Sequence, residues 1–560
     1  MPHVLGVNAV FHDPSAALVG AGRILAAAEE ERFSRRKHGK EPVSFSTWEL
    51  PVRSARWCLE QAGIRPDDLD AVAYSYDPAL SDVSSSDVLA GTWEGLRTLF
   101  VERAPLFLRT ALPGLDPERV RFVPHHHAHA GSAYLASGFD SCAVLTVDGR
   151  GERTSALLGA ARDGRLRVLA EQPLPHSLGL VYESLTAHLG FKRASDEFKV
   201  MALASYGRPR WLAELRERVH ATGDGGFVAE PLDWERFAPA VADGEDGWGP
   251  AHADLAASVQ AQLEETLLEL AAWLHERTGE SRLVLAGGVA LNCVANSRLW
   301  RDGPFDELWV QPAAGDAGTS LGAALYVARD LGDEIEPMTG ASLGRGWGAD
   351  ELASWLDRAA LPYERPRDVA EEAAEALAQN GVVAWFDGRA EFGPRALGHR
   401  SLLADPRDAA NLERLNDVKG REQFRPVAPM VLEEHASEIF DGGPLPSPYM
   451  LFTHRVREPW PERIPAVVHV DGTARIQTVN AEREPAVGRL LRAFERRTGV
   501  PVLVNTSLNT AGRPMVDDPR DALECFGSAP IDALVVGPFL LRRAGASSVA
   551  LRRHEGTRAA

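Results

Sequence analysis

The chain has 560 residues, of which 45% are hydrophobic and 25% are charged, as is typical of a globular protein. This length exceeds what one hydrophobic core usually supports, so it predicts two or more domains and excludes a small binding module. The 60 Lys and Arg residues against 79 Asp and Glu residues give a formal net charge of −19, which argues against a general affinity for nucleic acid or for an anionic membrane surface.

The sequence also carries signals about cellular location. The amino-terminal segment MPHVLGVNAV lacks the basic stretch and the long apolar run of a secretory signal. Apolar runs elsewhere are interrupted before they reach the roughly 18 to 20 residues that a membrane helix needs. The cysteines form no Cys-x-x-Cys pair, which favours a reducing compartment; they are Cys58, Cys142, Cys293 and Cys525. We therefore expect a cytoplasmic protein without a membrane partner.

The chain opens with three short apolar segments joined by tight turns, which predict a β-meander with strands at 4–8, 15–19 and 24–28. The same pattern returns after Cys142, with strands at 142–148, from 155 onward and at 166–170. The spacing from Asn8 to Ser15 equals that from Asp148 to Ser155. This repetition predicts a duplicated α/β domain, with coincidence as the alternative for so short a repeat.

Later segments complete the predicted architecture. Apolar residues at spacings of three and four predict a long helix over 255–278, and a buried strand follows at 282–285. A Gly-rich stretch at 337–348 predicts a linker or a domain edge. The second unit is predicted to contain a helix at 370–379, a strand at 382–386 and a strand and loop at 501–509. We therefore predict two domains, at 1–345 and 366–560.

A cluster of histidines predicts a metal site in the first domain. Four of the 17 histidines fall within five consecutive positions, and on a helix His125 and His129 would share one face. Carboxylates that could join them are Asp148, at a strand end, and Asp316, in a loop that opens a helix. Two imidazoles with carboxylates suit Fe(II), Zn or Mn and leave coordination positions open for substrate. A helix-capping or surface role is the alternative for the cluster.

Three Gly-rich turns, at 148–151, 287–288 and 315–318, could offer backbone amides to phosphate groups. Each turn alone is a weak signal, because most such turns only reverse the chain. Three of them in a duplicated α/β domain favour a nucleotide cleft between the two halves.

Cations of the second unit concentrate in loops, at Arg395, Lys419, Arg421, Arg425 and Arg475. The short hydrogen-bonding side chains of Asn505, Ser507 and Asn509 follow a Val-rich segment. A run of charge is usually a solvated face, but this chain is acidic overall, only five of its 60 basic residues are lysine, and Lys419 is the only lysine after Lys199. A lysine in so arginine-rich a chain is a candidate for a role that needs a compact ammonium group. We therefore predict a pocket for a phosphorylated small molecule and a nucleotide.

Eight segments in this order carry a resemblance to a known family. They are Phe11-His12-Asp13, 29–33, 37–39, the pair His125 and His129, 199–207, 287–292, 393–398 and 505–509. Together they resemble the O-carbamoyltransferase family of NodU, CmcH and TobZ, and the resemblance spans nearly the whole chain.

The resemblance implies an α/β fold in which a duplicated actin/hexokinase-like domain precedes a YrdC-like domain. It implies that carbamoyl phosphate and ATP form carbamoyl-adenylate in the second domain, and that the first domain transfers the carbamoyl group to a hydroxyl of a small-molecule natural product. The implied cofactors are Fe(II) or another divalent metal, and Mg, with ATP as co-substrate. A homodimer is also implied.

The resemblance further assigns roles to residues. The implied metal ligands are His125, His129 and Asp148, with Asp316 close or bridged by water; His126 and His127 are alternative ligands. The implied phosphate and nucleotide ligands are Lys419, Arg421, Ser507, Asn509, Arg395, Arg425, Arg475 and Asn505. The implied catalytic groups are His12, Asp13 and Lys37, and the implied adenylate ligands of the first domain are Lys199, Gly287, Gly288, Asn292 and Gly151. Arg513 stands where we expect an acidic residue.

Three other functions share parts of this pattern. A sugar-kinase-like phosphotransferase would use a duplicated nucleotide domain and release ADP. A threonylcarbamoyl-tRNA-type synthase would share both domain types, but the net charge of −19 argues against tRNA as a partner. A non-catalytic nucleotide-binding protein would turn over ATP slowly without requiring carbamoyl phosphate.

Overall fold

The computed structural model describes residues 2–39, 49–83, 87, 92–244 and 247–543. Residues 544–560, which the predicted second domain includes, lie outside this range.

The amino-terminal part contains two sheets of five strands each. The first is built from β1 His3–Asn8, β2 Ser15–Gly20, β3 Arg23–Glu29, β4 Ala71–Tyr74 and β5 Val120–Phe122. The second is built from β6 Ser141–Val147, β7 Thr154–Arg162, β8 Arg165–Pro173, β11 Arg282–Ala286 and β12 Glu307–Val310. A separate hairpin pairs β9 Val219–Ala221 with β10 Phe227–Ala229.

The two sheets share one topology, which confirms the predicted duplication. Their strand orders are β3-β2-β1-β4-β5 and β8-β7-β6-β11-β12. In the first sheet β1 is antiparallel to β2 and parallel to β4. In the second sheet β6 is antiparallel to β7 and parallel to β11 in the same way. Asn8 pairs with Ser15, and the N–H of Asp148 donates to the carbonyl of Ser155 at 2.9 Å, so the equal spacing reflects equivalent turns.

Ten helices are described in the amino-terminal part. They are α1 Glu31–Ser34, α2 Val52–Ala62, α3 Trp93–Ala111, α4 His125–Tyr134, α5 Leu178–His188, α6 Glu197–Ala204, α7 Leu212–Arg216, α8 Pro250–Thr278, α9 Cys293–Asp302 and α10 Ala317–Asp330. The predicted long helix is thus five residues longer at its start. Between β11 and α9 the chain forms a single 3-10 turn, Gly288–Leu291.

Helices α4 and α10 are exchanged between the two halves. Helix α4 follows the first sheet but packs on β6, β7 and β11, whereas α10 follows the second sheet and packs on β1, β2 and β4. The two helices therefore cross between the sheets. Glycines permit this crossing, because a Cβ atom at Gly322 would lie 1.7 Å from the carbonyl oxygen of Ala128 and one at Gly131 would lie 2.9 Å from that of Gly322.

The second unit is built on one mixed sheet of seven strands, in the order β19-β15-β20-β14-β13-β21-β22. These strands are β13 Val383–Phe386, β14 Arg400–Ala404, β15 Ala428–Leu432, β19 Gln477–Val479, β20 Val502–Ser507, β21 Ala533–Val536 and β22 Phe539–Arg542. A smaller sheet contains β16 Phe440–Asp441, β17 His454–Val456 and β18 Thr473–Ala474. The helices are α11 Ala349–Ala359, α12 Val369–Ala378, α13 Ala410–Lys419, α14 Glu433–Ile439, α15 Trp460–Arg463, α16 Pro485–Thr498 and α17 Pro519–Ser528.

Residues 346–365, between the two predicted domains, are not a simple linker. They include α11, whose Leu352 and Leu356 are buried in the core of the second unit. Across the described ranges, no helix is both long enough and apolar enough to cross a membrane.

The two units share hydrophobic cores. Four residues of the second unit, Phe392, Leu397, Ala428 and Met450, are buried in a core whose other members belong to the amino-terminal part. Leu451 and Phe452 join the core around α8 and α9 in the same way. Because these side chains complete cores of the other unit, the units form a continuous packed seam.

Candidate active site

Helix α4 presents His125 and His129 on one buried face, as the four-residue spacing predicts. The carboxylate of Glu152 accepts a hydrogen bond from the N–H of His125 at 2.8 Å, which holds the first turn of the helix. Nδ1 of His125 lies 3.2 Å from the carbonyl oxygen of Ser75. With that nitrogen donating, the neutral ring presents the lone pair of Nε2 on the side of Asp148 and Asp316.

Two carboxylates from the second half complete this cluster. Asp148 follows β6, and Asp316 precedes α10. Nε2 of His125 lies 3.6 Å from both carboxylates, and Nε2 of His129 lies 3.9 Å from Asp148 and 3.5 Å from Asp316. One ligand atom from each of the four residues lies within 4.8 Å of the others. The structure therefore brings all four predicted metal ligands together, and we call them the His/Asp cluster.

The donor set of this cluster fits a divalent cation. All four side chains are buried, and Nε2 of His125, Nε2 of His129 and Oδ1 of Asp316 have no hydrogen-bond partner. Buried polar atoms without partners are costly. Two imidazole nitrogens and two carboxylates at this separation are ligands that Fe(II), Zn and Mn accept.

Charges within the cluster shift the pKa values of its imidazole and carboxyl groups in opposite directions. Burial lowers the pKa of His125, but the carboxylates of Asp148 and Asp316 outweigh this and raise that pKa well above its ordinary value. Burial raises the pKa of Asp316, but the charge of His12 and the imidazoles of His125 and His129 outweigh this and hold it well below its usual range.

The alternative ligands lie beside the cluster rather than in it. Nδ1 of His126 pairs with the hydroxyl of Thr154 at 2.9 Å, and burial with the charge of His125 lowers the pKa of His126 to about 3. His127 points elsewhere, with its ring against Tyr326. Neither belongs to the four-residue group whose ligand atoms converge.

His12 and Asp13 lie at the edge of the cluster. Nε2 of His12 is 3.6 Å from Oδ2 of Asp316, and Nδ1 of His12 is 2.8 Å from Oδ2 of Asp13. The side-chain amide of Asn8 donates to the carbonyls of both residues at 3.0 Å, which fixes the loop. The predicted catalytic pair therefore does adjoin the predicted metal ligands.

The glycines predicted to contact an adenylate have other partners. The N–H of Gly288 donates to Oδ1 of Asp148 at 2.8 Å, and that of Gly287 donates to the carbonyl of Ala314 at 2.9 Å. Gly287 has a φ of +90° and packs directly on β6. The N–H of Gly151 also donates within its turn, and a Cβ there would lie 2.8 Å from the ring of His126. The backbone amides of these glycines therefore donate hydrogen bonds within the protein, and these bonds shape the turns around the cluster.

Asn292 and Lys199, the other predicted adenylate ligands, are also paired. Asn292 caps α9 by accepting from the N–H of Ala295 at 3.0 Å, and it donates to Gln260 at 2.8 Å. Nζ of Lys199 lies 2.7 Å from the carboxylate of Glu422 in the second unit. Lys199 therefore faces the seam between the units.

In the second unit, Lys419 contacts the predicted Ser and Asn. Its ammonium group donates to the hydroxyl of Ser507 at 3.0 Å and to the side-chain oxygen of Asn509, and that hydroxyl donates to the same oxygen at 2.8 Å. Burial, followed by the charges of Arg421 and Arg425 and with a contribution from Lys37, lowers the pKa of Lys419 well below its ordinary value. The predicted group is thus assembled, and Lys37 of the first unit is near it.

Four arginines converge beside Lys419 and leave several donors unused. They are Arg395, Arg421, Arg425 and Arg475. Burial lowers the pKa of Arg395, and the positive charge of Arg475 lowers it further. Burial and the positive charge of Arg425 lower the pKa of Arg421 in the same way. Nε of Arg395, Nη2 of Arg421 and Nε of Arg475 are buried without hydrogen-bond partners. Within the described ranges only Arg425 of the four forms an ion pair, with Glu422 at 3.3 Å. We call Lys419 and these four residues the basic pocket.

Two further predictions concern residues near this pocket. Asn505 is buried, and its amide donates to the carbonyl of Ala396 and to the side-chain oxygen of Gln477 at 3.0 and 2.8 Å, so it braces the loop that carries Arg395. Arg513 is exposed, with its guanidinium 3.7 Å from Glu524, and its carbonyl accepts from the amide of Asn509 at 2.7 Å.

Several residues of this region were not predicted from the sequence. Glu152 and Glu422 each contact predicted site residues, and His38 and Ser195 continue the contacts of Asp13. Their partners lie tens to hundreds of residues away, so no local spacing marks them.

Comparisons with known proteins agree with the two-part organisation. A family model for the carbamoyltransferase N-terminus matches residues 3–325, and one for the carbamoyltransferase C-terminus matches residues 374–543. The chain is 40% identical to nodulation protein NolNO of Sinorhizobium fredii, over 96% of this chain and 80% of that protein. It is 30% identical to 3'-hydroxymethylcephem-O-carbamoyltransferase of Amycolatopsis lactamdurans, over 95% of this chain and 98% of that protein.

Likeness to solved structures is slight. The structure of full-length HypF in the phosphate- and nucleotide-bound form is 15% identical, with a TM-score of 0.34, and the match covers 60% of this chain and 56% of that one. The family models and the full-length relatives confirm the resemblance found in the sequence motifs. The chain belongs to the carbamoyltransferase family of enzymes.

Proposed function

We propose that this enzyme is an O-carbamoyltransferase that uses carbamoyl phosphate and ATP and transfers the carbamoyl group, by way of carbamoyl-adenylate, to a hydroxyl of a small-molecule natural product. The observation that carries the proposal is the presence of two chemically different buried sites, one in each unit. The His/Asp cluster suits a cation, and the basic pocket, with buried donors that lack partners, suits an anion with several phosphate oxygens.

The proposed fold of each domain is supported by its strand order or by its site residues. Two sheets of identical strand order support an actin/hexokinase-like first domain. A YrdC-like second domain is supported by the Lys419, Arg421, Ser507 and Asn509 group near the end of β20. We propose domains at 1–345 and 366–560, with α11 from the residues between them packed into the core of the second domain.

The first step belongs to the basic pocket. Water cleaves carbamoyl phosphate into carbamate and phosphate, and carbamate then reacts with ATP to give carbamoyl-adenylate and pyrophosphate. The attack of a carbamate oxygen on the α-phosphorus brings two anions together, so the reaction needs positive charge that is already in place. Arg395, Arg421, Arg425 and Arg475 supply planar donors for phosphate oxygens, and Lys419 supplies a compact charge beside Ser507 and Asn509.

The second step belongs to the His/Asp cluster and His12. His125, His129, Asp148 and Asp316 would hold a divalent cation, which acts as a Lewis acid on an oxygen when it is bound. Nε2 of His12 accepts the proton of the acceptor hydroxyl as its oxygen bonds to the carbamoyl carbon and the bond to the AMP phosphate breaks. The proton then remains on His12, next to the carboxylate of Asp13.

The proposal is tested first by product analysis. Carbamoyl phosphate should stimulate the conversion of ATP to AMP and pyrophosphate, measured by nucleotide chromatography. ADP as the only product would indicate a phosphotransferase instead. Turnover that requires tRNA would indicate a threonylcarbamoyl-tRNA-type synthase, and slow turnover independent of carbamoyl phosphate would indicate a regulatory nucleotide-binding protein.

Two alanine variants then separate the sites. His129→Ala removes one of the proposed ligands, so it should contain little metal and transfer nothing, yet still release pyrophosphate. Arg425→Ala should retain metal and lose adenylate formation, because an unpaired phosphate oxyanion in a partly dry pocket costs about 2 to 5 kcal/mol, or about 30-fold to several thousand-fold in rate. Supplied carbamoyl-adenylate should restore transfer in the Arg425 variant alone. Equal loss of pyrophosphate release in both variants, with metal retained, would mean a single active site.

A further inference from the structure

A chain of polar contacts leads from the His/Asp cluster toward the seam. Each oxygen of the Asp13 carboxylate is held by a different imidazole, Oδ2 by Nδ1 of His12 and Oδ1 by Nδ1 of His38, both at 2.8 Å. Nε2 of His38 lies 2.8 Å from the hydroxyl of Ser195. His12 is therefore the inner end of a four-residue chain whose outer members touch neither the cluster nor the basic pocket.

The hydrogen-bonding roles along this chain determine one another. Ionised Asp13 can only accept, so both imidazoles donate to it from Nδ1. Nε2 of His38 is then an acceptor for the hydroxyl proton of Ser195. In the neutral form of His12, Nε2 is likewise left without a proton, on the side that faces Asp316 at 3.6 Å. The arrangement thus fixes the tautomer in which His12 can accept a proton.

The backbone around the chain is strained in a way that serves these contacts. Among the described residues, ten non-glycine residues have positive φ, and four of them lie here: Phe11 at +60°, Asp13 at +50°, His38 at +61° and Ala194 at +52°. Such conformations persist where the surroundings impose them, and they concentrate at functional sites. The N–H of His38 donates to the carboxylate of Glu31 at 2.8 Å, which holds this residue in place.

The outer end of the chain meets the contact between the two units. Ser195 precedes Asp196, whose carboxylate lies 3.0 Å from Nζ of Lys199, and Lys199 contacts Glu422 of the second unit at 2.7 Å. The hydroxyl of Ser195 is 3.4 Å from that Asp196 carboxylate. His38 is thus anchored to residues that hold the seam.

We propose that His38 is a positioning residue of the transfer site, which acts through Asp13 to orient His12 and is anchored by Ser195. This inference rests on the proposed function for the transfer step. It assigns His38 no contact with the acceptor or with the carbamoyl group. Loss of His38 should therefore lower the rate of transfer without weakening acceptor binding.

The test compares His38→Ala, His38→Asn and Ser195→Ala, with His220→Ala as a control at an exposed histidine whose ring hydrogen-bonds to the carbonyl of Arg216. Asn adopts positive φ readily, and its side-chain amide can replace Nδ1 as the donor to Asp13. With supplied carbamoyl-adenylate, His38→Ala should lower kcat about 10- to 100-fold, a part of the 10²–10⁴ that a general base contributes. KM for the acceptor, metal content and pyrophosphate release should stay at wild-type values.

His38→Asn should recover to within about threefold of wild type, and Ser195→Ala should fall between the two His38 variants, if positioning is the role. Unchanged kcat in His38→Ala would overturn the proposal, and so would a kcat loss matched by lost metal or lost pyrophosphate release. Circular dichroism and the melting temperature check that each variant is folded.

A second readout does not depend on activity. In protein labelled with ¹⁵N-histidine, with the resonances of His12 assigned through His12→Gln, the ring should show one tautomer, protonated at Nδ1. His38→Ala should convert it to a mixture. If the wild type forms no AMP, the proposed function fails while this spectrum still decides the role of His38. A mixed tautomer in the wild type, or the same tautomer in His38→Ala, would refute that role.

Discussion

The buried cations of the basic pocket, most of which form no ion pair within the described ranges, carry a clear cost in the free energy of folding. Lys419 is 7% exposed and is surrounded by neutral oxygens and by arginines. Placing several cations together away from water destabilises a protein unless an anion joins them. The basic pocket is therefore held by the rest of the fold, and a bound phosphate would relieve its repulsion.

Anion binding to this pocket should take up protons. The pKa of Lys419 lies well below its ordinary value in the free protein, and a phosphate group would raise it. At a pH between the two values the complex is protonated and the free lysine is not, so affinity for the anion should rise as the pH falls through this interval. Calorimetric titration with pyrophosphate, in buffers of different ionisation enthalpy, measures the uptake.

Lys419→Arg tests the same point, because a guanidinium stays charged and cannot report such uptake. It should abolish the proton uptake and lower adenylate formation about tenfold or more, since a planar fork does not fit where a compact ammonium meets Ser507 and Asn509. Lys192→Arg, at an exposed lysine, is the matched control and should behave as the wild type. Wild-type rates in Lys419→Arg would mean that this lysine is replaceable.

The residues of the two sites were predictable to different degrees. His125 and His129 share a helix face, and the carboxylates stand at turns, so local spacing sufficed to nominate all four members of the His/Asp cluster. His38 and Ser195 are 157 residues apart, and Lys199 and Glu422 are 223 apart. No periodicity relates such positions, so only the folded chain could bring them to notice.

At the scale of elements, the crossing of α4 and α10 determines the geometry of the His/Asp cluster. Each helix packs on the sheet of the other half, and each delivers cluster residues at or next to its first turn. The crossing depends on Gly131 and Gly322, because side chains there would meet backbone atoms. The site therefore depends on how closely two helices approach, more than on any one loop.

Gly322→Ala should separate the two helices. Ala favours a helix over Gly by up to about 1 kcal/mol, but overpacking of a close backbone contact costs about 1 to 3 kcal/mol, so the variant should be less stable and should retain less metal. Gly527→Ala is the matched control: Gly527 lies in α17 with no neighbour near its Cβ position, so that change should be neutral or stabilising. Thermal unfolding and metal analysis measure both effects, and a Gly322 variant as stable as the wild type would contradict this account.

Most elements were predictable because their patterns are local. The strands of the two meanders have apolar cores and turn residues at both ends, and their predicted ranges match the structure within a few residues. The exchange of α4 and α10 was not predictable, because periodicity shows that a helix has an apolar face but not which sheet receives it. Helix α11 was missed although Leu352 and Leu356 are four apart, since the Gly-rich stretch before it suggested a linker.

At the scale of the whole molecule, the shared cores join the two units into one folding unit. Phe392, Leu397 and Met450 would be exposed in an isolated second unit, and the apolar surface that they cover would be exposed in an isolated amino-terminal part. Arg32 donates to the carbonyl of Gly393 at 2.8 Å, and the N–H of Gly393 donates to Glu29 at 2.7 Å, so buried polar groups are also satisfied across the seam. Separation of the units would expose the apolar side chains to water and leave the polar groups without their hydrogen-bond partners.

Fragments 1–345 and 346–560 should therefore fold poorly alone, and they should recover solubility and activity when co-expressed. The intact chain should unfold in one cooperative transition by calorimetry. A protease site inserted at Gly340, which has no neighbour near its Cβ position, provides the control: cleavage there should leave the two parts associated and active. Two separate transitions, or a stable fragment on its own, would show that the shared core is dispensable.

The shared core also limits how such a chain can change over generations. Recombination that replaced one unit with that of a relative would pair apolar surfaces that had not diverged together, and most hybrids would be lost before selection could act on their chemistry. Substitutions on the surface around the sites are then the easier route to a new acceptor, while the two proposed chemical steps are inherited together.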